Sequence, residues 1–149
     1  MSAVPVGVVL AGGRARRLQG RKATVALGGR PLLSYSLRAM LEATDEAAVV
    51  AKPSTELPPL GAVPVWTEPE QPSHPLVGVV EALRRAGGRP VLVCAGDMPF
   101  VPVALLTRLA AVDAGGASAV VATSARHGLQ PLLARYEPAA LELLAPAAA

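Results

Sequence analysis

Val6-Gly7-Val8-Val9-Leu10-Ala11-Gly12-Gly13-Arg14-Ala15-Arg16-Arg17-Leu18-Gln19-Gly20-Arg21-Lys22 is an apolar run that empties into a small-residue turn crowded with cations. The stretch Val6 to Leu10 has the length and β-branching of a buried strand. The glycine pair after it lets a ligand approach the backbone closely, and the cations offset the charge of a polyphosphate. The first 41 residues hold seven of the chain's 14 Lys and Arg and none of its 11 Asp and Glu. That asymmetry says more about function than the formal net charge of +3, which gives a nucleic-acid reading little support.

Outward from this segment, short Val-rich runs alternate with helical patterns. Strands are predicted over Val4 to Leu10, Glu46 to Ala51, Ala62 to Trp66, Pro90 to Ala95, Ala117 to Ala122 and Pro131 to Tyr136. Helices are predicted from Pro31 to Ala43, Leu76 to Ala86 and Pro102 to Val112, with a last helix in the Ala- and Leu-rich tail. Leu33, Leu37, Met40 and Leu41 share one face of the first helix, and Gly87-Gly88 stops the second. Pro90 to Ala95 is apolar throughout, as a central parallel strand buried on both faces requires. The order β-α-β-β-α-β-α-β-β-α predicts an α/β fold: three layers around a mostly parallel, doubly wound, Rossmann-like sheet. At 149 residues, with no repeat and no boundary signal, residues 1–149 form a single domain.

Half of the residues are apolar but only Tyr35, Trp66, Phe100 and Tyr136 are aromatic, so the core is built from Val, Leu and Ala. A single cysteine, Cys94, excludes an internal disulfide framework, and its place in an apolar run favours an inert buried thiol. No apolar window of about 18 residues and no leader pattern is visible, so the chain is expected to be cytoplasmic and not to engage a membrane.

Ligands of open α/β sheets bind beyond the carboxyl ends of the strands. Two loops qualify: the one after Leu10, and Gly96-Asp97-Met98-Pro99 after the fourth predicted strand. The first is not a Walker loop, because the G-K-[ST] ending is missing. It is not G-x-G-x-x-G either, because Gly12 and Gly13 are adjacent. Its arginines either face water as a solvated basic turn or contact phosphate. Asp97 either caps the next helix or, left in the loop by Pro99 and Pro102, stands ready for a cation. His74-Pro75-Leu76-Val77-Gly78 is either a plain start of a helix or a place where a base or phosphate approaches.

The pattern from Leu10 to Lys22 resembles the signature of nucleotidyltransferases with a glycosyltransferase-A-like fold. Within these it is most similar to the molybdenum cofactor guanylyltransferase family, whose pattern runs L-A-G-G-x-S-x-R-M-G-x-x-K. Leu10, Ala11, Gly12, Gly13, Arg17 and Lys22 match. Ala15 replaces Ser, Leu18 replaces Met, and Gln19 replaces Gly, with Gly20 one position later. Sugar-nucleotide pyrophosphorylases more often carry L-A-A-G, so Gly12 favours the cofactor-modifying branch.

The resemblance implies an Mg²⁺-dependent enzyme that moves GMP from GTP onto the phosphate of molybdopterin. Lys22, Arg17 and Asp97 are the expected catalytic residues. Leu10, Ala11, Gly12, Gly13, Lys22, Glu68, Gly78 and Asp97 are the expected nucleotide contacts, with Asp97 the metal ligand. The Gln130-Pro131-Leu132 segment, with Tyr136 beyond, matches a late strand of the family.

Two departures stand out. Ala51-Lys52 occupies a place where the family usually has Asn, and nothing after Tyr136 supplies its late N-x-N/D-T-P segment. Either the chain is a shortened relative or its metal site is incomplete. The alternatives are therefore a CTP-dependent enzyme or one with another acceptor, such as cobinamide phosphate or a sugar phosphate, and a non-catalytic nucleotide-binding relative. No nucleic-acid partner is expected, and the sequence leaves the oligomeric state open.

Overall fold

The computed structural model describes residues 2–11 and 26–149. In chain order the elements are β1 (Val6–Leu10), β2 (Ala26–Leu27), β3 (Arg30–Pro31), α1 (Leu32–Ala43), β4 (Ala47–Ala51), β5 (Val65–Thr67), α2 (Pro75–Arg85), β6 (Val91–Ala95), α3 (Val103–Ala111), β7 (Ala119–Ser124), β8 (Gly128–Tyr136) and α4 (Ala140–Leu144), followed by a 3₁₀ turn at Pro146–Ala148. Six strands form the main sheet in the order β5-β4-β1-β6-β8-β7. Pairing is parallel from β5 through β6 and antiparallel on both sides of β8. β8 is thus the one strand of this sheet that runs against the others, and the predicted mostly parallel, three-layer sheet is observed.

Alternation along the strands divides the core. Val9, Val49, Leu92 and Cys94 face α1 and α3, where Leu33, Leu37, Met40, Leu106 and Leu109 meet them. Val6, Val8, Val50, Val91 and Val93 face the other layer, against Val79, Leu83 and Ala140. Each fully buried Val or Leu contributes about 1.5–3 kcal/mol of transfer free energy, which holds the two helical layers on the sheet. Arg84 and Arg85 stay on the exposed face of α2, where Arg85 Nε lies 3.0 Å from Glu81 Oε1. Leu41, predicted on the inner face of α1, is instead 46% exposed, because Leu33, Leu37 and Met40 already fill the contact with the sheet.

Three further expectations shift. First, β2 and β3 form a short antiparallel hairpin that the predicted elements lack. Gly28 (φ 58°) and Gly29 (φ 81°) supply the two left-handed residues that a tight two-residue turn needs. Pro31 ends this hairpin, so α1 begins at Leu32. Second, the third main strand is Val65–Thr67, later than predicted, because its partners are Val49 to Ala51.

Third, β8 begins at Gly128, and Pro131 lies inside it rather than at its start. The register jumps there, from Val121↔Ala134 to Ala122↔Gln130. Proline has no N–H for a ladder and is tolerated at such an irregularity. The Tyr136 hydroxyl donates to Pro131 O at 2.7 Å, satisfying the carbonyl left over.

One charged side chain is almost wholly enclosed. Arg135, 1% exposed, donates to Glu137 Oε1 (2.5 Å), Ala110 O (2.5 Å) and Ala3 O (2.9 Å). A buried guanidinium is tolerable only when paired and hydrogen-bonded in this way. It ties the amino-terminal segment, the end of α3 and β8 together. Among the described residues, no helix is long and apolar enough to cross a membrane.

Candidate active site

The chain leaves β1 toward β4 on one side and later returns to β6 on the other, so β1 and β6 flank the point where strand order reverses. In open α/β sheets the ligand crevice lies beyond the carboxyl ends of such strands. Here the two strand ends are joined by the backbone. Gly96 N–H donates to Leu10 O at 2.9 Å, and Ala11 N–H donates to Val50 O at 2.8 Å. A Cβ on Gly96 would lie 3.0 Å from Leu10 O and 3.0 Å from Leu33 Cδ1, so only glycine lets the two segments meet this closely. Asp97 follows directly and is exposed at the mouth of this junction.

Leu10 and Ala11, Asp97, Gly78 and Glu68 all come to this edge of the sheet. A Cβ on Gly78, in the first turns of α2, would lie 3.0 Å from Glu68 Oε2 and 3.1 Å from Leu10 Cδ2. Glu68 N–H donates to Ala51 O at 2.9 Å, which fixes the residue just past β5. Its carboxylate is buried, with Oε1 3.9 Å from Lys52 Nζ, and both side chains are 7% exposed. Lys52 also donates to Pro69 O at 2.7 Å. Burial pushes the Glu68 carboxyl above its ordinary range, and the Lys52 ammonium pulls part of that shift back. Gly12, Gly13, Arg17 and Lys22 lie outside the described residues, as do Arg14, Arg16 and Arg21.

His74 acts as the cap of α2: its Nδ1 accepts from Leu76 N–H at 3.1 Å, while Val77 N–H donates to His74 O at 3.0 Å. With Pro75 lacking an N–H, the first donors of α2 are satisfied within the chain. This favours the plain helix-start reading of His74 to Gly78 over an anion site. Cys94 is buried and its thiol is pushed up to about 12, chiefly by burial. It is the inert core thiol expected. Two site features escaped the sequence: the Lys52–Glu68 pair, and the role of Gly96 as the contact between strand ends. The only signal for the second was a Gly-Asp step after a wholly apolar strand.

Asp97 suits a hard divalent cation such as Mg²⁺, which takes one or two protein carboxylates and completes its shell with phosphate oxygens and water. Among the described residues there is no cluster of three metal-ligating side chains.

A mostly parallel sheet whose strand order reverses between β1 and β6, with the Asp97 loop bonded to the end of β1, has the architecture of a nucleotide-binding α/β domain. The profile of the MobA-like NTP transferase domain matches residues 7–148, and the chain belongs to that family. It is 37% identical over 142 residues to a molybdenum cofactor guanylyltransferase of Cereibacter sphaeroides, covering 90% of this chain and 72% of that protein. To a molybdenum cofactor guanylyltransferase of Burkholderia vietnamiensis it is 36% identical over 135 residues, covering 84% of this chain but only 65% of the relative. The crystal structure of molybdopterin-guanine dinucleotide biosynthesis protein A from Archaeoglobus fulgidus superposes with a TM-score of 0.76 at 24% identity, over 96% of this chain and 72% of that one. The last likeness bears on the fold alone.

Proposed function

We propose that this chain transfers GMP from GTP to the terminal phosphate of molybdopterin, with release of pyrophosphate. An acceptor phosphate oxygen forms the new bond to the α-phosphorus of GTP. The bond from that phosphorus to the oxygen bridging toward the β-phosphate breaks, and its electron pair leaves with pyrophosphate. A phosphomonoester is largely dianionic at neutral pH, since its second pKa is about 6, so the attacking oxygen needs no general base. This agrees with His74 being engaged as a helix cap.

Catalysis then rests on positioning and on charge neutralisation. Leu10 and Ala11 hold the start of the glycine-rich turn against β4 and β6. Gly78 lets the Glu68 carboxylate and Leu10 pack closely against the start of α2, at the nucleotide's side of the sheet. Lys22 and Arg17 supply positive charge to the phosphates. Asp97 holds Mg²⁺, which when bound neutralises phosphate charge. The protein works as a cytoplasmic enzyme with GTP and the pterin phosphate as its partners.

The observation that carries this reading is the 2.9 Å Gly96–Leu10 hydrogen bond, which sets the Asp97 loop against the start of the glycine-rich turn. The test is pyrophosphate release with GTP, CTP or ATP, with and without molybdopterin. Turnover is expected with GTP and acceptor together. Asp97→Asn, its folding checked by an unchanged Tm, should lose Mg²⁺-dependent turnover by about 100-fold or more, the scale of removing one electrostatic contact to the transition state. Full turnover in that variant removes Asp97 from the metal site. Preference for CTP would move the chain to another substrate class, and GTP binding without pyrophosphate release would make it a non-catalytic relative.

A further inference from the structure

In a chain with four aromatic residues, three are put to use by the fold. Tyr136 is buried and bonded to Pro131 O, Tyr35 donates to Leu27 O at 2.5 Å, and Trp66 packs against the core. Phe100 is 82% exposed. It lies in the loop from β6 to α3, three residues past Asp97.

This loop is held from beneath. Met98 N–H donates to Ala95 O (3.3 Å), Val101 N–H to Met98 O (3.4 Å), and the buried Ser36 hydroxyl to Met98 O (3.1 Å). Pro99 and Pro102 restrict the backbone on either side. Met98 and Val101 pack against the core while Phe100 does not. The ring is therefore presented by an anchored loop, at no gain to the stability of the fold.

The sheet order says what it is presented to. Glu68 and Gly78 mark the β4/β5 side of the crevice, Asp97 its centre, and Phe100 follows β6, whose outer neighbour is β8. The first residues of β8 run past the end of β6, since Cys94 pairs with Leu133. They bring Leu129, 68% exposed, to the same edge. An in-line displacement needs the acceptor on the side opposite the leaving pyrophosphate. Three residues reach at most about 10 Å, so Phe100 stays within the reach of one small acceptor whose phosphate lies at Asp97.

We propose that Phe100 is the stacking platform for the flat heterocycle of the acceptor, and so sets acceptor affinity without touching the nucleotide. This rests on the guanylyl-transfer reading above. The test is steady-state kinetics with GTP and free molybdopterin on Phe100→Ala and Phe100→Trp. The alanine variant should raise KM for the acceptor about tenfold, equivalent to 1.4 kcal/mol. KM for GTP should stay within twofold, and Trp should restore the acceptor KM. An unchanged Tm in both variants is expected from the exposure of the site. An acceptor KM within twofold of wild type in Phe100→Ala overturns the proposal. So does an effect seen only when a carrier protein delivers the acceptor, which would make Phe100 a protein-docking residue. A wild-type protein that is inactive with molybdopterin sinks the underlying reading and this inference with it.

Discussion

Gly96→Ala probes the junction on which the site depends. The added Cβ would lie 3.0 Å from Leu10 O and from Leu33 Cδ1, and 3.7 Å from Val9 Cγ1. Ordinary contact begins near 3.4 Å, so the two segments must part by about 0.4 Å. Leu33 is fully buried and Leu10 O is backbone, so neither yields cheaply. The Gly96–Leu10 hydrogen bond, 2.9 Å long, would stretch beyond the usual range for N–H···O.

Overpacking costs about 1–3 kcal/mol, and the hydrogen bond is worth about 0.5–1.5 kcal/mol net. A loss of about 2–3 kcal/mol follows. At about 2–4 °C per kcal/mol for a chain of this size, Tm should fall by about 5–10 °C. Asp97 moves with Gly96. A misplacement of about 1 Å can cost 100-fold, so this smaller shift should lower kcat about tenfold. Scanning calorimetry and pyrophosphate release read both numbers. If Tm stays within a degree and kcat within twofold, the strand ends do not meet as tightly as described, and the positioning argument for Asp97 fails.

Two other perturbations address buried charge and the core thiol. Lys52→Met strands the Glu68 carboxylate in its buried site, and about 3–5 kcal/mol of stability should be lost in urea titrations at neutral pH. The double variant with Glu68→Leu should recover most of that loss, whereas a fully stable single variant would show the pair to be unimportant. Cys94, with its thiol raised from 9.0 to about 12, should resist alkylation at pH 8 until the protein is unfolded. The folded state keeps this proton longer than the unfolded chain. Its contribution to stability is therefore complete below about pH 9 and is lost as pH climbs toward 12. Cys94→Ala should flatten that alkaline decline, and an unchanged slope would assign it to other groups.

What the sequence made legible was whatever a local pattern determines. Val4 to Leu10 read as a strand with Val6 to Leu10 buried, and Pro90 to Ala95 as a central strand buried on both faces; the structure forms them as Val6–Leu10 and Val91–Ala95, neighbours in the middle of the sheet. Asp97 was placed at a strand end by the same reading. The misses depend on pairings between segments rather than on the pattern within one. The Lys52–Glu68 pair exists because β4 and β5 align Ala51 with Thr67, which neither segment announces by itself. β8 looked like a strand starting at Pro131, because proline is an ordinary first residue, and only the pairing with β7 reveals the residues before it. The β2–β3 hairpin was missed because four strand residues around Gly28-Gly29 are too few to show a period.

The placement of β8 also orders the assembly of the newborn chain. β5, β4, β1 and β6 are all synthesised by residue 95, so the half of the sheet that carries the strand reversal can form from local crossovers while the rest is still emerging. β7 comes next but pairs only with β8, among the described strands, and must wait for it. When β8 slides between β6 and β7, Arg135 reaches back 132 residues to Ala3 O. The last of the described strands thus acts as a latch on the amino-terminal side of a sheet whose first strand was laid at the beginning of translation.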